Sequence, residues 1–254
     1  MCPDVQRTRR PRTGKRETAE TLGLTLKAKQ RAERRERVTA RTLLGDWTLN
    51  PYLAFLLLVG IGVATLRVKH NVRLVLLWMV LLTLVLLYAE RGRLRANYSL
   101  LNLARGALVG IVAALPLYLL GRDFFYATAS RLYGVDDMLV LVERAVFLVP
   151  ILEESFFRGI VQNERGLLDG ALLFGLAQAL YFIQLVSDFP AVILVMVLGM
   201  ILLGLLYGYL YERYGLTAST SCHVAVNSVL LVLPPLVQTM GVFLQDPSRL
   251  LPSP

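Results

Sequence analysis

Three charged residues interrupt an otherwise apolar run between Ala145 and Val161. Glu153 and Glu154 are adjacent, and Arg158 follows four residues after the second acid. Charges at membrane depth are costly, and proteins keep them there mainly where they have a partner or a task. Packing alone needs no carboxylate that lacks a local partner. These charges are therefore the first candidates for a functional site.

Helical spacing separates the two acids. Glu154 and Arg158 are four residues apart, which is the spacing for an ion pair along one helix face. Glu153 lies about 100° around the helix from Glu154, so it faces elsewhere and has no local partner. Pro150 has no backbone N–H to donate, and this loosens the helix just before the acids. The spacing predicts a Glu154–Arg158 ion pair and a separate Glu153.

Two further polar groups occur in later apolar segments. His223 and Asn227 are four residues apart and share a helix face. Such a pair could bind a developing negative charge, or it could be a structural hydrogen-bonded pair. Gln178 lies one turn after Phe174 in another apolar segment. A glutamine there is by itself typical of a hydrogen bond between helices.

The elements that must position these residues are apolar helices. Of the 254 residues, 56% are hydrophobic, which is above the usual share for a soluble domain. Long apolar runs predict an all-α, polytopic bundle of about seven transmembrane helices. These runs are 51–66, 74–89, 99–120, 138–160, 171–186, 189–211 and 216–244.

Proline and polar residues predict where the helices bend or end. We expect Pro116 to kink the third span. We expect residues 122–136 to form a surface connector and residues 212–215 to form a turn. The pair Pro234 and Pro235 is expected to interrupt the seventh span.

The first 45 residues are a basic tail that we expect to be cytoplasmic and partly disordered. Residues 1–41 hold 13 Lys or Arg against 5 Asp or Glu, a net +8 of the chain's +9. Such a tail favours a cytoplasmic N-terminus of a multi-pass membrane protein and binds anionic lipids. Nucleic acid is not an expected partner, because no aromatic residues interleave these charges and no nucleic-acid-binding motif accompanies them.

The three polar segments, in this order, resemble the CPBP family of intramembrane proteases, also called Abi or CAAX-protease-like. Its Glu-Glu-x-x-x-Arg motif is matched at 153–158 and its His-x-x-x-Asn motif at 223–227. Its Phe-x-x-x-His motif is half matched at 174–178. The resemblance covers about residues 138–230. We therefore expect N-terminal transmembrane helices at 46–136, a catalytic core at 137–245 that carries the resemblance, and a C-terminal tail at 246–254.

The resemblance implies a role for each motif residue. Glu153 would be the base that activates the attacking water. His223 and Asn227 would stabilise the oxyanion as the peptide carbonyl is attacked. Glu154 and Arg158 would order the site or hold substrate. The implied activity is an intramembrane endopeptidase whose partner is a peptide or protein substrate within or at the membrane.

Gln178 stands where the family has a histidine that assists the first glutamate. An amide can hold a water molecule but cannot take up its proton near neutral pH. Assistance in proton transfer is typically worth about 10²–10⁴ in rate. The alternative is therefore a catalytically impaired member that acts as a membrane scaffold or bacteriocin self-immunity protein. A proton-coupled transporter is a third hypothesis, because intramembrane acids also serve transport.

The same substitution bears on metal binding. The family has often been described as metalloproteases, with a glutamate and two histidines as presumed ligands. A catalytic zinc usually has three protein ligands, and Gln178 is a poor third beside Glu153 and His223. We therefore expect no cofactor, although zinc is the divalent metal that the family description implies.

Overall fold

The described part of the chain is helical. The computed structural model describes residues 50–90, 99–135, 137–183 and 190–245, which form helices and turns with no strand among them. The predicted basic tail at 1–45 and the C-terminal tail at 246–254 lie outside the described residues. The helical elements are α1 Pro51–Ala64, α2 His70–Ala89, α3 Leu100–Tyr133, α4 Met138–Val142, π1 Glu143–Leu148, α5 Val149–Phe156, π2 Phe157–Gln162, α6 Asn163–Arg165, α7 Leu167–Phe182, α8 Pro190–Tyr214, α9 Leu216–Asn227, π3 Ser228–Val232 and α10 Leu233–Gln245.

Four of the described helical stretches are long and apolar enough to cross a membrane. They are His70–Ala89, Leu100–Tyr133, Ile193–Tyr214 and Leu216–Gly241. Helices α1 and α7 are apolar but shorter, at 14 and 16 residues. The predicted span at 138–160 is divided into α4, π1, α5 and π2. The described part of the chain is therefore all-helical, and its four candidate spans are typical of a membrane protein.

Helix α3 is longer than the sequence predicts. The expected connector at 122–136 continues the helix to Tyr133, because residues 122–133 contain no glycine or proline and bury Ala129 and Leu132. The helix is irregular at Gly121 (φ −134°, ψ 28°), whereas Pro116, the predicted kink, stays inside it. It ends at Gly134, whose φ of 75° favours glycine.

Two predicted interruptions are also smaller than expected. Helix α8 continues through Tyr214, so the predicted turn at 212–215 reduces to Gly215 with φ 86°. The last span remains helical through Pro234 and Pro235. A proline lacks the N–H that an α-helix needs, and the wide turn π3 ends at Val232, two residues before Pro234.

Two glycines bring α3 and α9 into close contact. A Cβ on Gly106 would lie 2.1 Å from the Ala218 carbonyl oxygen. A Cβ on Gly110 would lie 2.5 Å from the Cys222 carbonyl oxygen. Neither approach is open to a residue with a side chain, and small residues of this kind let membrane helices pack backbone to backbone. This packing places the α9 segment that carries His223.

Candidate active site

Four of the six predicted site residues line one small cavity. Glu153, Gln178, His223 and Asn227 come from α5, α7 and α9 and border a cavity of about 50 Å³. That volume is large enough for at least one water molecule, which needs roughly 10–15 Å³ on this measure. Residues far apart in sequence therefore meet at a site that can hold water.

Gln178 contacts Glu153 directly. Its Nε2 donates to both carboxylate oxygens of Glu153, at 3.1 and 3.0 Å. A carboxylate accepts hydrogen bonds only, so the amide must turn its nitrogen rather than its oxygen towards it. Glu153 is 1% exposed, and an unpaired charge so deeply buried would be costly. The Gln178 amide thus stabilises the Glu153 carboxylate, which has no partner at helical spacing on its own helix.

Glu154 lies behind the cavity and is tied to three groups. The predicted ion pair with Arg158 is confirmed, with 3.3 Å between Arg158 Nε and Glu154 Oε2. The Ser219 hydroxyl donates to Oε2, and Nδ1 of His223 lies 3.1 Å from Oε1. Neither Glu154 nor Arg158 lines the cavity. Their geometry therefore suits ordering the site better than contacting a substrate there.

The Arg158 side chain is fully buried. Its guanidinium carbon lies 5.0 Å from the centre of the Phe174 ring, a cation–π distance. None of its guanidinium nitrogens has a well-aligned hydrogen-bond partner within the described residues. Its charge is thus balanced mainly by Glu154 and the aromatic ring.

The imidazole of His223 is held on several sides. Tyr207 stacks on it at 4.7 Å with an interplanar angle of 17°, and Phe174 meets it edge-on at 5.7 Å. Because a carboxylate can only accept, Glu154 fixes a proton on Nδ1. The other ring nitrogen, Nε2, lies 3.9 Å from Glu153 Oε2. The ring is thereby oriented with Nε2 on the side of Glu153.

Asn227 replaces a backbone hydrogen bond that is missing in π1. In this wide turn the Val149 N–H donates to the Arg144 carbonyl, five residues back. The next carbonyl, that of Ala145, would need the N–H of Pro150, which does not exist. Asn227 Nδ2 donates to the Ala145 oxygen instead, at 2.7 Å. One amide N–H therefore holds the π-helix, and a second remains for another acceptor.

Two contacts of the site were not predicted from the sequence. Ser219 donates to Glu154, and Tyr207 stacks on His223. Ser219 had a detectable signal, because it precedes His223 by one helical turn and so shares its face. Nothing in the spacing of Tyr207 points to the site.

The side chains around Glu153 do not fit a zinc ion. The Gln178 amide turns its nitrogen towards this carboxylate, and an amide N–H offers no lone pair to a metal. Nδ1 of His223 is held by Glu154, so Glu153 and His223 Nε2 are two ligands where a catalytic zinc usually has three. Among the described residues, no group of three or more His, Cys, Asp or Glu side chains is arranged to hold a metal. These residues therefore offer fewer ligands than a catalytic zinc usually has.

An apolar pocket of about 490 Å³ adjoins the cavity. It lies between α3 and α8, and its lining is almost entirely apolar. Five residues line both spaces: Phe125, Met196, Met200, Leu203 and Leu230. The polar site is thus bordered on one side by a space suited to hydrocarbon groups.

The fold and the site together define a helical membrane protein with a buried carboxylate, imidazole and amide around a water-sized cavity. Residues 136–229 match the Rce1-like family, described as type II CAAX prenyl endopeptidase Rce1-like. This match confirms the resemblance seen in the motifs and supports a CPBP or CAAX protease family, which is a protease family, for this segment. It spans well under half of the chain. No curated protein and no solved structure matched the chain.

Proposed function

We propose that this protein is an intramembrane endopeptidase that hydrolyses a peptide bond with water activated by Glu153. The observation that carries the proposal is the meeting of Glu153, His223 and Asn227 at one cavity of water-holding size. The family match over the same segment supports a protease. We further propose the seven-span topology with a cytoplasmic N-terminus and a catalytic core at 137–245.

In this mechanism Glu153 accepts a proton from a water molecule in the cavity. The water oxygen forms a bond to the carbonyl carbon of the substrate, and the carbonyl oxygen becomes negatively charged. Asn227 offers it the N–H not used by Ala145, and His223 Nε2 donates when the ring carries both protons. The C–N bond then breaks, and Glu153 returns the proton to the leaving nitrogen.

The apolar pocket beside the cavity supports a substrate that is delivered by the membrane. A peptide bond near an apolar segment or a hydrocarbon chain could reach Glu153 while that chain remains out of water. A prenylated CAAX peptide and an apolar unmodified peptide are the two substrate classes to compare.

The test is cleavage by purified protein reconstituted in liposomes. The panel contains quenched peptides with a prenylated CAAX end, matched unprenylated peptides and apolar transmembrane peptides. We expect cleavage of at least one class, and loss of that cleavage in Glu153→Ala. Cleavage that survives in Glu153→Ala would remove Glu153 as the base.

One observation favours a second candidate, a catalytically impaired membrane scaffold or self-immunity protein. The Gln178 amide donates to both oxygens of Glu153, where it competes with the water that Glu153 must hold. The same liposome assay separates the two. Absence of turnover across the whole panel, with a folded protein, would favour the scaffold.

A further inference from the structure

Tyr207 of α8 contacts the His223 imidazole face to face. The two ring centres lie 4.7 Å apart and the ring planes differ by 17°, so the tyrosine fixes the plane of the imidazole. Glu154 lies 3.1 Å from Nδ1 and fixes the rotation of the ring within that plane. Neither contact alone determines the direction in which Nε2 points. Together they hold the imidazole in one orientation, with Nε2 on the side of Glu153.

The backbone of Tyr207 is connected to the second of these contacts. Its carbonyl oxygen lies 2.9 Å from the Ser219 hydroxyl, which also contacts Oε2 of Glu154. The other oxygen of that carboxylate, Oε1, is the one that holds His223. Tyr207 therefore acts on the imidazole by two routes, directly through its stacked ring and indirectly through Ser219 and Glu154.

Helix α8 holds Tyr207 at a fixed place. Gly204 and Gly208 lie on either side of it in the sequence and are one helical turn apart. A Cβ on Gly204 would lie 3.1 Å from the Ala171 carbonyl oxygen, and a Cβ on Gly208 would lie 2.3 Å from the Leu167 side chain. These two glycines let α8 pack closely on α7. Tyr207 itself is 1% exposed, so its ring has little room to move.

We propose that Tyr207 is a positioning residue that fixes the His223 imidazole in the orientation from which Nε2 donates to the oxyanion. Its ring borders the cavity, but its effect is on the imidazole. A donor that stabilises an oxyanion must already point at its position before the charge develops. The catalytic consequence rests on the proposed function, whereas the contact between the two rings does not, so the two can be tested separately.

The kinetic test compares Tyr207→Leu, which removes the ring, with Tyr207→Phe, which keeps it. We expect kcat to fall about tenfold in the leucine variant, the upper end of what an aromatic pair contributes. KM should stay unchanged, because the lost interaction acts in the transition state. The phenylalanine variant should cleave like the wild-type protein, because a phenyl ring can stack on the imidazole in the same way.

Tyr209→Leu is the matched control for the loss of a tyrosine ring. Tyr209 lies on the same helix but is 51% exposed, so this variant should change neither constant. An unchanged kcat in Tyr207→Leu, equal losses in the two Tyr207 variants, or a change in KM alone would overturn the proposal.

A magnetic resonance test needs neither substrate nor a Tyr207 variant. The chain has two histidines, His70 and His223, so isotope labelling of the histidine rings gives two sets of signals, which His70→Gln assigns. In the wild-type protein in detergent we expect nuclear Overhauser contacts between the ring protons of His223 and those of Tyr207. Their absence contradicts the stacking even if peptides are cleaved. Their presence in a protein that cleaves nothing supports the stacking and counts against the proposed function alone.

Discussion

Glu153 and Glu154 are adjacent in the chain but lie in two different surroundings. Glu153 faces a cavity and contacts an amide that carries no charge. Glu154 faces the interior, where Arg158, Ser219 and His223 all contact it. Both carboxylates are almost completely buried, so exposure does not distinguish them. The difference lies in the kind and number of their partners.

This contrast shows how two adjacent residues of one helix can belong to two different parts of a site. A rotation of about 100° per residue sends neighbouring side chains to different faces. The interior part, built around Glu154, orients His223 and neutralises charge. The cavity part leaves Glu153 beside space for water. We therefore expect substitutions at Glu153 to affect turnover and substitutions around Glu154 to affect stability.

The largest expected effect is on turnover, in Glu153→Gln. Glutamine keeps an oxygen that can accept from Gln178, but it cannot take a proton from water. We expect kcat to fall by about 10²–10⁴ with little change in thermal stability. Peptide cleavage and thermal unfolding in detergent measure the two quantities. Glu143→Gln, at an exposed acid of π1, is the control and should change neither. A strongly destabilised Glu153→Gln would contradict the expectation that Glu153 serves turnover and Glu154 serves stability.

The next effect is on stability, in Arg158→Met. Methionine preserves much of the apolar stem but leaves Glu154 buried without its cationic partner. Breaking a buried ion pair in this way typically costs about 3–5 kcal/mol. The measurement is the free energy of unfolding in mixed micelles.

The control for Arg158→Met is Arg122→Met. Arg122 pairs with Asp123 at 3.4 Å, but both side chains are largely exposed. Exposed ion pairs contribute little, so this variant should unfold like the wild-type protein. If the two arginine variants were equally stable, the interior part of the site would not depend on its ion pair.

A smaller loss of stability is expected in Ser219→Ala. The serine hydroxyl reaches both Glu154 and the Tyr207 carbonyl oxygen, the latter at 2.9 Å. Removing it deprives a buried carboxylate of one donor, at a cost of about 1–3 kcal/mol. Thr83→Ala is the control, because this exposed hydroxyl donates only to the Met79 carbonyl of its own helix. Equal unfolding free energies for the two variants would contradict the importance of the Glu154 contacts.

Local spacing was sufficient to predict part of the site. The i, i+4 rule identified the Glu154–Arg158 pair and placed His223 and Asn227 on one face, and the apolar runs predicted a helical membrane protein. These inferences need only the geometry of one helix. The sequence also singled out Gln178, but as an isolated substitution, without its contact to both oxygens of Glu153.

Contacts between helices could not be predicted in the same way. The hydrogen bond from Asn227 to Ala145 depends on the wide turn π1, and Pro150 predicts a loosened helix there but not this bond. The stacking of Tyr207 on His223 depends on how α8 and α9 pack. The helical path through residues 122–133 depends on local propensity, which the polar and aromatic composition concealed. The hydrogen bond and the stacking are thus decided by tertiary packing rather than by sequence periodicity.

The smallest effect, and the most informative about Glu153, is expected in Gln178→His. The imidazole can accept and return a proton, which the amide cannot. Gln178 already lies against Glu153, so the new ring enters the cavity part of the site. We expect kcat to rise about tenfold, below the full benefit of assisted proton transfer because the surrounding residues are adapted to an amide.

Gln162→His is the control. Gln162 is equally buried but donates to the Gly208 carbonyl away from the cavity, and it should give no gain. A loss of activity in Gln178→His would instead identify the amide as the residue to which Glu153 is adapted.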